Sequence, residues 1–399
     1  MGSPTVPGAE RQVASFLADL TTAGTVASGR TVPDDWAGLH AGTARNPTGV
    51  PGWQIDGCFP ARSRLNTHHG WDHDAQFVMR LPEAWNGGLV VTGAPGLRRQ
   101  YAVDFLIADW VLAGGYAYAA TDKGNSGPGF HTAGSRPGDA LADWHRRTTE
   151  LTQAARRALR RHYGAEPRRT YVTGVSNGGY LTRWQLENQP DLYDGGVDWA
   201  GPLWRADGPN VLTYIPTALR NYPGYRDGRS ARAHPAMIEA GFPAGSEFVW
   251  ADLHAYHWPL TQRVYRACLD PYYEGADETY DYAARPGRVH EAVARISLTG
   301  RVGRPMLSLH GTLDALLPIT LNADPYAAMA EREGRGHLHR LYRIEGGNHV
   351  DGFCDRHPGR LTPMLPHYRA AFESLTRWVE DGLAPPPSGT ITSNGDTAD

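Results

Sequence analysis

The stretch Tyr171-Val172-Thr173-Gly174-Val175-Ser176-Asn177-Gly178-Gly179-Tyr180 decides how this chain is read. A β-branched run ends in a serine flanked by glycines, and a helix-compatible segment follows. Such a G-x-S-x-G pattern suits a sharp strand-to-helix turn, where small neighbours let the strand and the helix pack closely around a serine lifted out of the sheet. The following helix would aim its N-terminal dipole at any negative charge developing there. Upstream, Leu141, Trp144, Leu151, Ala154, Ala155 and Leu159 fall at helical spacing between Asp139 and Gly164, so a helix precedes the strand. Downstream, Tyr180, Leu181, Trp184 and Leu186 form the apolar stripe of a helix that ends near Asn188-Gln189-Pro190.

Working outward, short apolar runs bounded by Gly, Pro or polar residues recur along the chain. Gln54–Cys58, Ala75–Leu81, Gly88–Thr92, Tyr116–Thr121, Gly196–Ala200, Pro305–His310 and Leu338–Ile344 read as strands, with helices near Tyr101–Ala113 and over Leu365–Asp381. This alternation predicts an α/β fold with a mostly parallel sheet covered by helices on both faces. Residues 1–45 read as a peripheral arm with an amphipathic helix from Glu10 to Thr22, and residues 384–399 as a disordered tail. The core is expected over 46–202 and 305–383, interrupted by an aromatic-rich insertion over 203–304 that is too long to lack structure. A helical insertion there would form a lid over the C-terminal edge of the sheet, where open α/β folds bind ligands.

Composition excludes several functions. The 399-residue chain has 39 basic and 42 acidic residues, a net charge of −3, and no basic stripe that could track a phosphate backbone, so nucleic acid is not an expected partner. No apolar run is long enough to span a bilayer, and Met1–Glu10 lacks the features of a secretory leader, so a cytoplasmic location is expected. Cys58, Cys268 and Cys354 are too few and too scattered for a disulfide framework or a zinc cluster. His68-His69-Gly70-Trp71-Asp72-His73-Asp74 contains metal-ligand residue types, but it joins two strands where polar and Gly residues belong, and neither a metal nor another cofactor is expected.

Two further segments complete a catalytic pattern. His310-Gly311-Thr312-Leu313-Asp314-Ala315-Leu316-Leu317-Pro318 is a strand running into a turn that presents Asp314. Glu345-Gly346-Gly347-Asn348-His349 is a strand end running into a loop that presents His349. A serine hydroxyl needs a base to become a nucleophile, a histidine can take and return that proton, and a carboxylate fixes the imidazole tautomer. Asp198 is the alternative acid. Asp351 is too close in sequence to His349 to be preferred.

With Ser176, Asp314 and His349 in that order, the chain from Gln54 to Asp381 resembles an α/β-hydrolase. The combination of Thr121-Asp122-Lys123-Gly124, the Ser176 motif and a large insertion is similar to tannase, feruloyl-esterase and hydroxybutyrate-oligomer-hydrolase relatives. It departs from tannase-like enzymes at Val175 and Val350, where they place cysteines. The resemblance implies a serine esterase acting through an acyl-enzyme on a small, partly apolar or aromatic ester. An acyltransferase, lactonase or cyclase using the same trio is the alternative, and the oligomeric state stays open. Oxyanion donors are expected from the Asn177 N–H and from the Thr92–Leu97 loop; Pro95 has no N–H, which leaves Ala94, with Gly96 as the alternative. Lys123, Asn125, His131 and Trp204 are the candidate substrate contacts.

Overall fold

Fully buried runs of Val, Leu, Ala and Tyr form the centre of the molecule, and their side chains alternate between two apolar layers. On Gly88–Gly93 (β4), Leu89 and Val91 enter one layer and Val90 the other. On Ala117–Thr121 (β5), Ala117 and Ala119 join the first and Tyr118 and Ala120 the second. A strand buried on both faces needs helices on both faces. In the computed structural model, which describes residues 2–392 and 397–398, the Asp139–Tyr163 helix lays Leu151, Ala154, Ala155 and Leu159 on the first layer. The Leu365–Asp381 helix covers the second with Tyr368, Phe372 and Leu375. Each such leucine or phenylalanine side chain contributes about 1.5–3 kcal/mol when fully buried.

The sheet has eleven strands among the described residues, in the order β1-β2-β3-β5-β4-β6-β7-β8-β9-β10-β11. Arg11–Leu17 (β1), Gly52–Cys58 (β2) and Gln76–Pro82 (β3) form an antiparallel edge that joins β5. From β5 onward, β4, Arg169–Val175 (β6), Gly195–Trp199 (β7), Met306–Gly311 (β8), His339–Ile344 (β9) and Gly389–Ile391 (β10) are parallel, and Thr397–Ala398 (β11) closes the far edge antiparallel. The mostly parallel sheet with helices on both faces matches expectation. Among the described residues, no helix is long and apolar enough to cross a membrane. The three cysteines are free thiols.

The interval between β7 and β8 is helical, with Val211–Arg226, Ala233–Glu239, Trp258–Leu269 and Gly287–Ala294 as its main elements. Most of its aromatics pack on one another: Phe242 lies edge-on to Trp258 at 5.3 Å and Tyr225 to Trp250 at 5.2 Å. The Trp258 indole donates to the Ala315 carbonyl at 2.9 Å, so the insertion is tied to the loop that carries Asp314.

Two expectations at the termini need correction. The segment read as a helix from Glu10 to Thr22 is instead β1, and a helix begins only at Thr22. As an edge strand, β1 leaves Val13 and Phe16 about half exposed and has no strict in-out alternation, so Val13, Phe16, Leu17 and Leu20 can also be fitted to a helical stripe. The tail read as disordered contributes β10, which pairs with β9. Before it, Tyr342 Oη donates to the Pro386 carbonyl at 2.8 Å and the Leu341 N–H to Ser388 Oγ at 3.0 Å. Residues 393–396 and 399 lie outside the described residues. A chain ending at Pro387 is expected to lose about 1–3 kcal/mol through unpaired edge groups on β9, read as a lower urea midpoint with an unchanged slope.

Candidate active site

The β6-to-helix turn puts Ser176 at φ 57°, ψ −120°, the strained backbone expected of a serine presented at a sharp elbow. Packing enforces that turn. A Cβ on Gly174 would come within 2.5 Å of the Gly178 backbone, and one on Gly178 within 2.5 Å of the Gly93 carbonyl, so only glycine fits at either position. The helix that follows, Asn177–Asn188, starts at Ser176.

The β8 turn buries Asp314 completely, with Oδ1 accepting from the Leu316 and Leu317 N–H groups at 2.9 and 2.8 Å. Its other oxygen lies 2.8 Å from His349 Nδ1 and 3.3 Å from His310 Nε2. Burial alone would raise this carboxyl, but the His349 charge and the hydrogen bonds from His310 and His349 outweigh it and hold the group well below the usual carboxylate range. Asp314 is therefore a permanent anion at one end of the imidazole. With Nδ1 engaged, Nε2 is the nitrogen left for another partner. Trp199 links the remaining pieces: its carbonyl accepts from the Ser176 N–H at 2.8 Å and its indole donates to the His349 carbonyl at 3.1 Å.

Ser176, Asn177 and His349 line one cavity of about 560 Å³. The Trp258–Leu269 helix supplies one wall through Leu260, Val264 and Tyr265, and the N-terminal segment supplies another through Leu39. None of the lining residues is acidic, whereas Arg98 and Arg356 both face the space. Arg356 is paired with Asp252 at 2.9 Å; among the described residues, Arg98 donates to the Asp35 and Ala37 carbonyls alone.

Several sequence-derived candidates lie elsewhere. The Ala94 N–H is donated to the Thr121 carbonyl at 3.0 Å, extending the sheet, so Ala94 has no free donor to offer. Gly96 does line the cavity, and among the described residues its N–H and that of Asn177 enter no backbone hydrogen bond. None of the four expected substrate contacts lines the cavity. Lys123 is fully buried, with its ammonium 5.0 Å from the Trp144 ring. Asn125 is spent on the Ala140 carbonyl and the Trp144 indole, at 2.9 and 2.6 Å. His131 Nδ1 lies 3.2 Å from the Pro128 carbonyl, and Trp204 is buried edge-on to Tyr265 at 5.2 Å. The alternative acid, Asp198, is a buried structural ion: Arg183 Nε donates to it at 2.6 Å, as do Ser308 Oγ and the Gly201 N–H, both at 2.9 Å. Asp351 accepts from the Met364 and Leu365 N–H groups at 2.6 and 2.9 Å and so starts the last long helix.

The histidine-rich segment is engaged in local bonds. His69 Nε2 lies 2.7 Å from Tyr101 Oη and His73 Nδ1 lies 2.6 Å from the Asp74 carbonyl. Among the described residues, no group of three or more such side chains is arranged to hold a metal ion. Arg98, Tyr265, His257 and Phe353 were missed as cavity residues. Arg98 follows directly on the loop already suspected, and Tyr265 was one of many aromatics in the insertion with nothing local to single it out.

Comparison with known proteins agrees with this architecture. Residues 63–201 match the family model described as tannase and feruloyl esterase, and residues 265–396 match that of 3HB-oligomer hydrolase. Feruloyl esterase B from Aspergillus oryzae superposes with a TM-score of 0.59 at 15% identity, over 96% of this chain and 89% of that one. Another Aspergillus oryzae esterase gives 0.61 at 16% identity, over 96% and 88%. The chain has the α/β-hydrolase fold. Among curated relatives, a D-(-)-3-hydroxybutyrate oligomer hydrolase of Cupriavidus metallidurans is 32% identical over 23% of this chain and 14% of its own length. A mono(2-hydroxyethyl) terephthalate hydrolase of Piscinibacter sakaiensis is 26% identical over 36% of this chain and 25% of its own. The matched stretches are therefore a minor part of those relatives.

Within this fold, Lys123 carries a consequence for stability. Burial lowers its ammonium to about 7, against the pull of Asp122 and Asp74, and its Nζ has no hydrogen-bond partner among the described residues. Between about 7 and 10.5 the unfolded chain holds a proton that the folded chain has released, so this group makes stability rise with pH across that window. Lys123→Met keeps the contact with Trp144 and removes the buried charge. It is expected to stabilise the fold by on the order of 2–4 kcal/mol at pH 7, a gain that shrinks towards pH 10.5 in urea titrations at stepped pH.

Proposed function

We propose that this chain hydrolyses carboxylic esters through an acyl-enzyme on Ser176. The observation that carries the reading is the 2.8 Å contact between His349 Nδ1 and the buried Asp314 carboxylate, in a histidine that shares its cavity with a backbone-strained serine. In this reading Ser176 Oγ gives its proton to His349 Nε2 and attacks the ester carbonyl carbon. The oxyanion is met by the Gly96 and Asn177 N–H groups, the second at the positive end of a helix. Collapse breaks the bond to the alkoxy oxygen, which takes the proton from His349 and leaves as the alcohol. Water then repeats the sequence on the acyl-enzyme and frees the acid. Asp314 stabilises the imidazolium at both steps without itself taking a proton. The insertion acts as the lid of this site.

The lining points to the kind of ester. Leu39, Leu260, Val264 and Phe353 give apolar walls, and Arg98, whose guanidinium donates to backbone carbonyls rather than to a carboxylate, gives a cation on the cavity lining. A partly apolar ester that also carries a carboxylate fits both. Mono(2-hydroxyethyl) terephthalate, named for one relative, is an ester of this description.

Ser176→Ala is expected to abolish turnover of 4-nitrophenyl esters with an unchanged melting temperature, and Asp314→Asn to lower kcat by about 10⁴. Turnover by the Ser176→Ala protein at the parent rate would refute the mechanism. For charge preference, 4-nitrophenyl hexanoate and mono-4-nitrophenyl adipate differ only in a terminal methyl against a carboxylate. The adipate is expected to show a kcat/KM about 10-fold higher, an advantage that falls with added salt and in Arg98→Gln.

A further inference from the structure

The Asn177 carboxamide is fully committed. One of its Nδ2 hydrogens goes to the Gly96 carbonyl at 3.1 Å and the other to Tyr265 Oη at 2.7 Å, while the same Tyr265 hydroxyl donates back to Asn177 Oδ1 at 2.9 Å. Both donors and the acceptor of the amide are thus used, and the phenol both gives and receives. These bonds join three separate parts of the chain: the residue after the nucleophile, the loop after β4, and the Trp258–Leu269 helix of the insertion. The phenol is itself held, edge-on to Trp204 at 5.2 Å and to Phe130 at 6.0 Å, with 7% of its surface exposed. Hydrogen bonds closed into such a network in a dry site fix geometry more firmly than isolated ones.

The geometry points to Tyr265 as a positioning residue: through the Asn177 side chain it sets the spacing of the two backbone N–H groups, Gly96 and Asn177, that receive the oxyanion. This rests on the ester-hydrolase reading above and adds the insertion to the chemistry. Gly96 sits at φ 49°, and the carboxamide contact to its carbonyl pins it to the elbow. Leu260 and Val264, on the same helix as Tyr265, face the cavity, so a substrate seated on that wall presses on the element that holds the oxyanion donors. Binding away from the scissile bond would then be spent on order at the reacting carbonyl.

The test is pre-steady-state and steady-state hydrolysis of 4-nitrophenyl hexanoate by the full chain and by Tyr265→Phe, Asn177→Ala and the double variant. Tyr265→Phe is expected to lower kcat and the burst rate together by about 10- to 100-fold while KM stays within about threefold, the signature of an interaction made in the transition state. Because the tyrosine acts through Asn177, the double variant should be no slower than Asn177→Ala alone. Side-chain amide exchange of Asn177, slow in the parent, should become fast in Tyr265→Phe. Burst and kcat within twofold of the parent in Tyr265→Phe, or losses that multiply in the double variant, would overturn the positioning role alone. If the parent shows no burst with any ester, the ester-hydrolase reading and the positioning role fall together.

Discussion

A serine at φ 57°, ψ −120° occupies backbone space that a side-chain-bearing residue enters at a cost of about 1–3 kcal/mol, and the site follows from how that cost is sustained. The strand before it is locked between β4 and β7, the helix after it lies against the sheet, and Gly174 and Gly178 let the two backbones approach where any side chain would collide. The relaxed alternative would require strand and helix to separate and give up part of the second apolar layer. Local strain is therefore held by global burial, at the point where a hydroxyl must stand clear of the sheet.

From that fixed point Trp199 organises the rest. It is the last residue of β7; its carbonyl accepts from the Ser176 N–H and its indole donates to the His349 carbonyl. Buried on the neighbouring strand, it sets the distance between the Ser176 turn and the His349 loop by the spacing of adjacent strands and the width of one indole. Asp314 is positioned by the next strand, β8, and by two backbone N–H groups of its own turn. Three loops at the same edge of a parallel sheet are thus registered against one another by hydrogen bonds to their backbones, apart from the contact between His349 and Asp314.

What could be read in the sequence follows this division. The sheet strands, the elbow and the trio of Ser176, Asp314 and His349 are encoded by local patterns: apolar runs of strand length, glycines at fixed offsets, and polar residues at strand ends. The cavity-lining loop after β4 could be narrowed to a few residues, but the Ala94 N–H is not free because it serves the β4–β5 edge, and strand pairing is not visible from one strand alone. Lys123 and Asn125 follow the end of β5 and Trp204 opens the insertion, yet all three are buried away from the cavity. Whether a side chain at a strand end faces the cavity or the core depends on which distant helix covers it. Asp198 failed as an acid for the same kind of reason: Arg183, on the helix after the elbow, claims it. At the termini, β1 is an edge strand and β10 is a three-residue, half-buried strand next to the other edge, and strands placed there bury too little to impose a period on their sequence.

The insertion changes how this fold should be viewed. Trp250, Trp258, Phe242 and Tyr225 pack on one another within the same apolar cluster that covers the sheet, and two side chains on a single helix reach to opposite flanks of the site. Trp258 donates to the Ala315 carbonyl beside the buried acid, and Tyr265, seven residues on, holds the carboxamide beside the nucleophile. Seven residues are about two helical turns, so both anchors project from one face, about 10 Å apart along the axis. A rigid rod fastened at both ends spans the acid loop and the elbow. Any motion of the insertion that opens the cavity must break one of these bonds or carry both loops with it. The wall of this cavity is thereby part of the frame that holds the reactive groups, and a change in the insertion is felt at Ser176 through bonds rather than through shape alone.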